Sequence, residues 1–379
     1  MNPLEDFEDR LGSALADLQR ADLLRQMRLP QGIDLVSNDY LGLAEHPYLT
    51  QKMREALEIL PAGSGGSRLL RGHHPVFEAL ESRLAEFSGT PAALLFSSGY
   101  SANVGLMQTI AGRGDLIFSD ALNHASLIDG MRLTKAQTIV YPHQDLNALD
   151  QALYTPRTGK AVVVVESLFS MDGDLTPLAD VCDIAERHGA VVVVDEAHAT
   201  GLYGARGSGR VEALGLRERV LATIHTGGKS LGSGGAWVAG SRRLRDAMVN
   251  RARSFIFSTA PIPVLAAALD AGLDIVHREP ERRAEVLRKA TLLRQQLAHW
   301  DIHVSGESLI VPIIVGSNDA ALSLQAAMCA AGFDVRAIRP PSVAPGTARL
   351  RVTVRYPVSD DDLIRFAAGL SRQLHCQKA

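Results

Sequence analysis

Two valine runs, Val162 to Val165 and Val191 to Val194, offer apolar side chains to both faces of an extended chain. A strand of that kind cannot have one face in water. It belongs in a parallel or mixed sheet covered by helices on both sides. Similar short runs at 92–96, 115–119, 138–141, 220–224 and 236–239 join those at 161–166 and 190–195. Helical stretches separate them, and this alternation predicts an α/β fold.

The flanking regions read differently. Residues 4–28 predict an amphipathic helix, with Leu4, Phe7, Leu11, Leu15, Leu18 and Leu23 near a 3.6-residue period and Pro30 and Gly32 ending it. A second helix follows 37–43 and stops at Pro61. A third covers 75–87, with Pro75 in its first turn. After Pro261 and Pro263 one long helix is predicted over 264–299, then strands near 309–315 and 350–354 with a helix between them. The boundaries drawn are an N-terminal helical segment 1–36, a large domain 37–285 and a small domain 286–379.

The 379 residues are enough for a large domain and a smaller one. A net charge of −3 without runs of like charge gives nucleic acid or an anionic membrane no foothold. Cys182, Cys329 and Cys376 are scattered, which suits reduced thiols in the cytoplasm better than a disulfide framework. No apolar stretch has the length of a membrane span, and residues 1–8 lack the character of a signal peptide.

Asp195, at the end of a valine run, is followed three residues later by His198. In an open α/β sheet ligands bind beyond the carboxyl ends of the strands, and both side chains can converge there on one planar group. Capping of the next helix is the simpler role for Asp195. Lys229 lies in TGGKS, but the glycine that a nucleotide-binding loop requires five residues before Gly228 is Thr223, so that motif fails. The glycines around Lys229 (227, 228, 232, 234 and 235) suit close approach of backbone to a ligand. A lysine, a strand-end acid and a nearby histidine suit pyridoxal phosphate, which needs an amine for its Schiff base and an anion opposite its ring nitrogen. Residues 97–101 (SSGYS) open an apolar helix and read either as an anion site or as ordinary capping. His124 reads as a ring-stacking group or as a turn residue. His73 and His74 read as surface residues, not metal ligands.

Seven segments carry a resemblance: 37–43 (SNDYLGL), 63–67 (GSGGS), 124–127 (HASL), 169–174 (FSMDGD), 195–201 (DEAHATG), the Lys229 turn and 337–351 (AIRPPSVAPGTARLR). The chain resembles the α-oxoamine synthases, fold-type I pyridoxal-phosphate transferases, over nearly its whole length. The resemblance implies a large domain with a mostly parallel seven-stranded sheet and a smaller C-terminal α/β domain. It implies that Lys229 holds the cofactor as a Schiff base, that Asp195 pairs with the ring nitrogen, that His198 bonds the phenolic oxygen and that His124 stacks on the ring. Gly99, Tyr100, Ser170 and Thr226 would surround the cofactor, with Ser258 and Thr259 placed for the phosphate of a neighbouring subunit in a homodimer.

Within the family, Arg351 is the choice for the amino-acid carboxylate, with Asn38 beside it; Arg25, Ser342 and Arg339 are substrate candidates. The 337–351 segment points to the member that condenses L-alanine with a pimeloyl thioester in biotin biosynthesis, over glycine C-acetyltransferase. Coenzyme A and an acyl carrier protein both stay open as the carrier of the thioester. Tyr100 stands where phenylalanine is common, and the segment between Arg25 and Ser37 is shorter than in relatives.

Overall fold

The computed structural model describes residues 2–378, with side chains through His375; the Cys376 side chain lies outside the described residues. The chain divides into two compact units. The larger comprises Asn38–Ser170 and Asp174–Val286; the smaller comprises residues through Ser37, Met171–Gly173 and the chain from Leu287.

Among the described residues of the larger unit, seven strands form one sheet. They are β1 (Ala92–Phe96), β2 (Leu116–Asp120), β3 (Gln137–Tyr141), β4 (Ala161–Glu166), β5 (Ala190–Asp195), β6 (Ala222–Thr226) and β7 (Ala236–Gly240). Their order is β1-β7-β6-β5-β4-β2-β3, and only β7 runs antiparallel to its neighbours. The valine runs do what their composition predicts. Val162, Val164 and Val193 enter one apolar cluster with Leu106 and Met107 of helix Gly99–Ile110. Val163, Val165, Val192 and Val194 enter the opposite cluster, against Val181 and Ile184 of helix Leu178–Arg187. Each fully buried side chain of this size contributes about 1.5–3 kcal/mol. Val191 departs from the expectation: at the start of β5 it is 40% exposed, beyond the cover of the helices.

Three boundaries shift. The strand expected at 220–224 is β6, two residues later. The first helix is Pro3–Arg20 and stops well short of 28. The helix expected at 264–299 is two, Pro263–Arg278 and Glu281–His299, because Pro280 cannot supply the N–H that a continuous helix needs.

In the smaller unit β8 (Ile310–Gly316) pairs antiparallel with β9 (Ala348–Thr353), which pairs with Ala337–Ile338. Helix Asn318–Ala330 lies between β8 and β9 in sequence, as expected. Residues 1–36 do not stand as a separate segment. Ile33–Asp34 pairs in parallel with Phe333–Asp334, which ties the N-terminal region to the C-terminal unit.

His225 on β6 links this core to pH. It is buried, with its ring nitrogens 2.9 Å and 2.7 Å from the Thr200 and Thr223 hydroxyls, and it stacks on Trp237 at 4.9 Å. Burial draws its pKa from 6.5 down to about 3. Between those values the unfolded chain binds a proton that the native chain does not, so stability falls as pH falls, by about 1.4 kcal/mol per pH unit for this one group. The acid-unfolding transition of His225→Gln, followed by tryptophan fluorescence, should have a shallower pH dependence than that of the wild type. An unchanged slope would show that the imidazole already charges in the native state.

Candidate active site

The carboxyl ends of β4, β5 and β6 converge on a cluster of polar side chains in the larger unit. β5 ends at Asp195, and the chain turns sharply there: the Ala197 N–H donates to Asp195 Oδ1 over 2.8 Å. No helix starts here, since the next one begins only at Arg210, so the expected capping role gives way to a side-chain turn that uses one oxygen. The other, Oδ2, accepts from Asn103 Nδ2 at 2.8 Å. Asn103 also donates to the Ser126 hydroxyl at 2.9 Å, and that hydroxyl lies 2.8 Å from His124 Nδ1. The strand-end acid is thus joined to His124 through two buried side chains.

The turn after β6 brings in Lys229, whose Nζ is 2.9 Å from His198 Nε2. His198 Nδ1 lies 2.5 Å from the Tyr40 hydroxyl, which donates to Asn38 Oδ1 at 3.1 Å. A protonated lysine is a donor only, so with Lys229 charged the His198 proton sits on Nδ1 and the chain runs in one direction from Lys229 to Asn38. Several of the glycines around Lys229 serve the protein's own packing. A Cβ on Gly227 would meet Leu269 and the Gly234 carbonyl, and Gly232 and Gly235 have positive φ. Gly228 differs: a Cβ there would meet nothing closer than 3.9 Å, so open space lies beside Lys229.

Ser98 caps helix Gly99–Ile110 with a capping box, which is the ordinary role considered for SSGYS. The N–H groups of Gly99 and Tyr100 still have no acceptor within the helix, as at any helix start. A Cβ on Gly99 would lie 2.8 Å from the Thr226 methyl, so this helix end is pressed against the end of β6. The Tyr100 side chain turns away to donate to Asp129 at 2.7 Å. Ser258 and Thr259 line a narrow cleft with Ser97. Ser170 lies in the turn after β4. His73 Nδ1 accepts from Arg68 Nε and its Nε2 lies 2.8 Å from Glu78, so a carboxylate does reach it, through a hydrogen bond.

Glu166 stands opposite Asp195 in the β4–β5 register and accepts the His124 N–H at 2.6 Å. Burial, reinforced by the Asp195 charge, raises its pKa well above the usual carboxylate range. The His124 imidazole is held below its usual range by burial; Asp195 opposes that shift and Lys229 adds to it.

The substrate candidates of the smaller unit form their own group. Arg25, Arg339 and Ser342 line a cavity of about 390 Å³ with Arg28 and Arg336. Arg25 donates to the Pro340 carbonyl at 3.5 Å, and Arg339 to the carbonyls of Asp22 and Leu24. Arg351 is not in this cavity. It is buried in β9 and donates to the Thr353 hydroxyl at 3.1 Å.

Asn103, Ser126, Tyr40 and Glu166 were missed as working residues from sequence. Tyr40 and Ser126 lie inside recognised segments, and Glu166 ends a valine run just as Asp195 does. Asn103 gives one signal, a polar residue within an apolar helix. The lysine amine, the buried strand-end carboxylate, the helix start and the open space beside Gly228 together fit pyridoxal phosphate.

Comparison with known proteins agrees. Residues 30–370 match the family described as aminotransferase class I and II. An 8-amino-7-oxononanoate synthase of Burkholderia pseudomallei is 42% identical over 98% of this chain and 98% of its own length. One from Geobacter sulfurreducens is 44% identical over 89% and 88%. Among solved structures, serine palmitoyltransferase from S. paucimobilis with a bound PLP–myriocin aldimine superposes with a TM-score of 0.90 at 28% identity, covering 99% of each chain. With the sheet order, the Lys229 turn and near full-length identity in accord, this chain belongs to the aminotransferase class I and II family, in its α-oxoamine synthase branch.

Proposed function

We propose that the chain condenses L-alanine with a pimeloyl thioester to give 8-amino-7-oxononanoate, carbon dioxide and free thiol, a step of biotin biosynthesis, with pyridoxal phosphate as cofactor. The observation that carries this reading is the Lys229–His198–Tyr40–Asn38 chain beside Asp195 at the carboxyl edge of the sheet. The near full-length relatives of that name support the choice of substrates. When bound, the cofactor supplies an electron sink for the amino-acid Cα. The residues do the rest. Lys229 Nζ would take and return the Cα proton, Asp195 would hold a proton on the ring nitrogen, and His198, its ring fixed by Tyr40, would bond the phenolic oxygen. His124 would cover the ring face, and Gly99, Tyr100, Ser170 and Thr226 would surround the cofactor. General-base action of the Lys229 kind contributes about 10²–10⁴-fold.

The arginine cavity supports an anionic acyl tail. Burial lowers the Arg339 pKa, and Arg25 and Arg28 lower it further against Asp22, so positive charge is in excess there. A dicarboxylic half-thioester supplies the missing anion at its far end, beside Ser342. By resemblance to the family, Arg351 is assigned to the alanine carboxylate. Helix Pro3–Arg20 buries none of its residues and leaves Leu4, Phe7, Leu11, Leu15 and Leu18 exposed, which favours a homodimer in which Ser258 and Thr259 meet the neighbouring cofactor phosphate. Among the described residues no helix is long and apolar enough to cross a membrane, in keeping with a cytoplasmic enzyme.

The test is a matrix of alanine, glycine and serine against pimeloyl, acetyl and palmitoyl thioesters, each on coenzyme A and on acyl carrier protein. The pair alanine and pimeloyl should exceed the others in kcat/KM by at least tenfold, on whichever carrier is used. Preference for glycine with acetyl thioester would make the chain a sister acyltransferase instead.

A further inference from the structure

The loops that carry His124 and Ser170 are tied together by a side chain that the reaction itself does not use. His143 lies two residues beyond β3, at the carboxyl edge of the sheet. Its Nδ1 is 2.8 Å from Asp120 Oδ1, and its Nε2 is 2.6 Å from Asp174 Oδ2. Asp120 ends β2, four residues before His124; Asp174 closes the turn that begins at Phe169, four residues after Ser170. The ring also meets Phe169 edge-on at 4.5 Å.

Each carboxylate organises its own loop. Asp120 Oδ1 accepts the Leu122 N–H at 2.8 Å, and Oδ2 accepts the Gln144 N–H at 3.0 Å. Asp174 Oδ2 accepts from Gln144 Nε2 at 2.6 Å, while its backbone carbonyl accepts the Phe169 N–H at 3.1 Å. Ionised carboxylates only accept, so an imidazole between two of them donates from both nitrogens and carries a positive charge. Burial works against that charge, and the two hydrogen bonds outweigh it, lifting the pKa to about 10. The clasp is therefore closed throughout the neutral range.

We infer that His143 is a positioning residue: by bridging Asp120 and Asp174 it sets the spacing between the loop bearing His124 and the turn bearing Ser170, and so the shape of the cofactor face. This rests on the proposed function, because it takes those two residues to face the cofactor. Backbone ladder bonds reach only the first residue of each loop, Ala121 N–H to the Tyr141 carbonyl and Ser167 N–H to the Asp195 carbonyl, and Asn123 and His124 bond β4 itself. The His143 bridge adds the tie between the Asp120 end of one loop and the Asp174 end of the other. Met171–Gly173, the middle of the turn, group with the smaller unit, so Asp174 is also where the chain returns to the larger one.

The test compares wild type with His143→Gln and Asp174→Asn. Glutamine has one amide and cannot donate along both imidazole directions, and asparagine removes a single charge with little change in shape. In His143→Gln, amide exchange at Leu122 and Phe169 should quicken at least tenfold, and the visible circular dichroism of bound pyridoxal phosphate should fall by half or more. The kcat should drop about tenfold or more while the KM for alanine changes less than threefold. Asp174→Asn should quicken Phe169 but spare Leu122, and it carries the test alone if the glutamine variant does not fold. Unchanged exchange and dichroism in variants that bind cofactor normally would overturn the inference, as would a loss confined to the melting temperature. A wild-type protein that binds no pyridoxal phosphate would instead overturn the reading beneath it.

Discussion

Lys229→Ala should be colourless after reconstitution with pyridoxal phosphate and should lose at least about 10³-fold in kcat, because one substitution removes both the attachment point and the base. The other lysines offer no substitute among the described side chains. Lys135 and Lys160 are exposed, Lys52 pairs with Glu55, and Lys289 donates to the Tyr356 carbonyl. Borohydride reduction of the wild type should therefore leave the label on the peptide that contains Lys229. A labelled peptide from elsewhere, or a variant that keeps its visible band and turnover, would end the assignment.

Asp195→Asn should fold and bind cofactor yet lose about 10²–10³-fold in kcat. A unit charge pair at about 4 Å is worth roughly 4 kcal/mol at the effective dielectric of a protein site, and asparagine removes it. The fold should survive for a local reason. The new amide can keep its oxygen towards the Ala197 N–H, and Asn103 has a buried oxygen without a partner that can turn to meet the new NH₂ group. The readout is kcat together with the visible spectrum across pH. Turnover within tenfold of wild type would remove Asp195 from its role at the ring nitrogen.

Much of this architecture was legible because burial writes itself into composition. Strands apolar on both faces have one stable setting, and alternate valines of β4 and β5 do reach opposite clusters. Boundaries were less legible where a single residue decides. Pro280 splits a helix whose flanks look continuous, and the helical period of residues 4–28 outlasts the helix itself. In the site, Lys229, Asp195 and His198 were legible through spacing within one short region. Asn103 and Glu166 were not, since a partner 92 residues away in sequence and a neighbour in strand register leave no local pattern. The glycines near Lys229 were assigned to ligand approach, whereas Gly227, Gly232 and Gly235 answer to the chain's own turns and contacts.

The separation of the arginine cavity from the lysine has an evolutionary corollary. Residues 25, 28, 336, 339 and 342 all belong to the smaller unit, while Lys229, Asp195 and their hydrogen-bonding partners belong to the larger. Under the proposed function, mutations that retune which acyl tail is accepted can accumulate at the two ends of the gene and leave the proton-transfer apparatus untouched. Descendants with new donors need not reinvent the chemistry, and directed evolution of donor choice can confine its libraries to the chain termini.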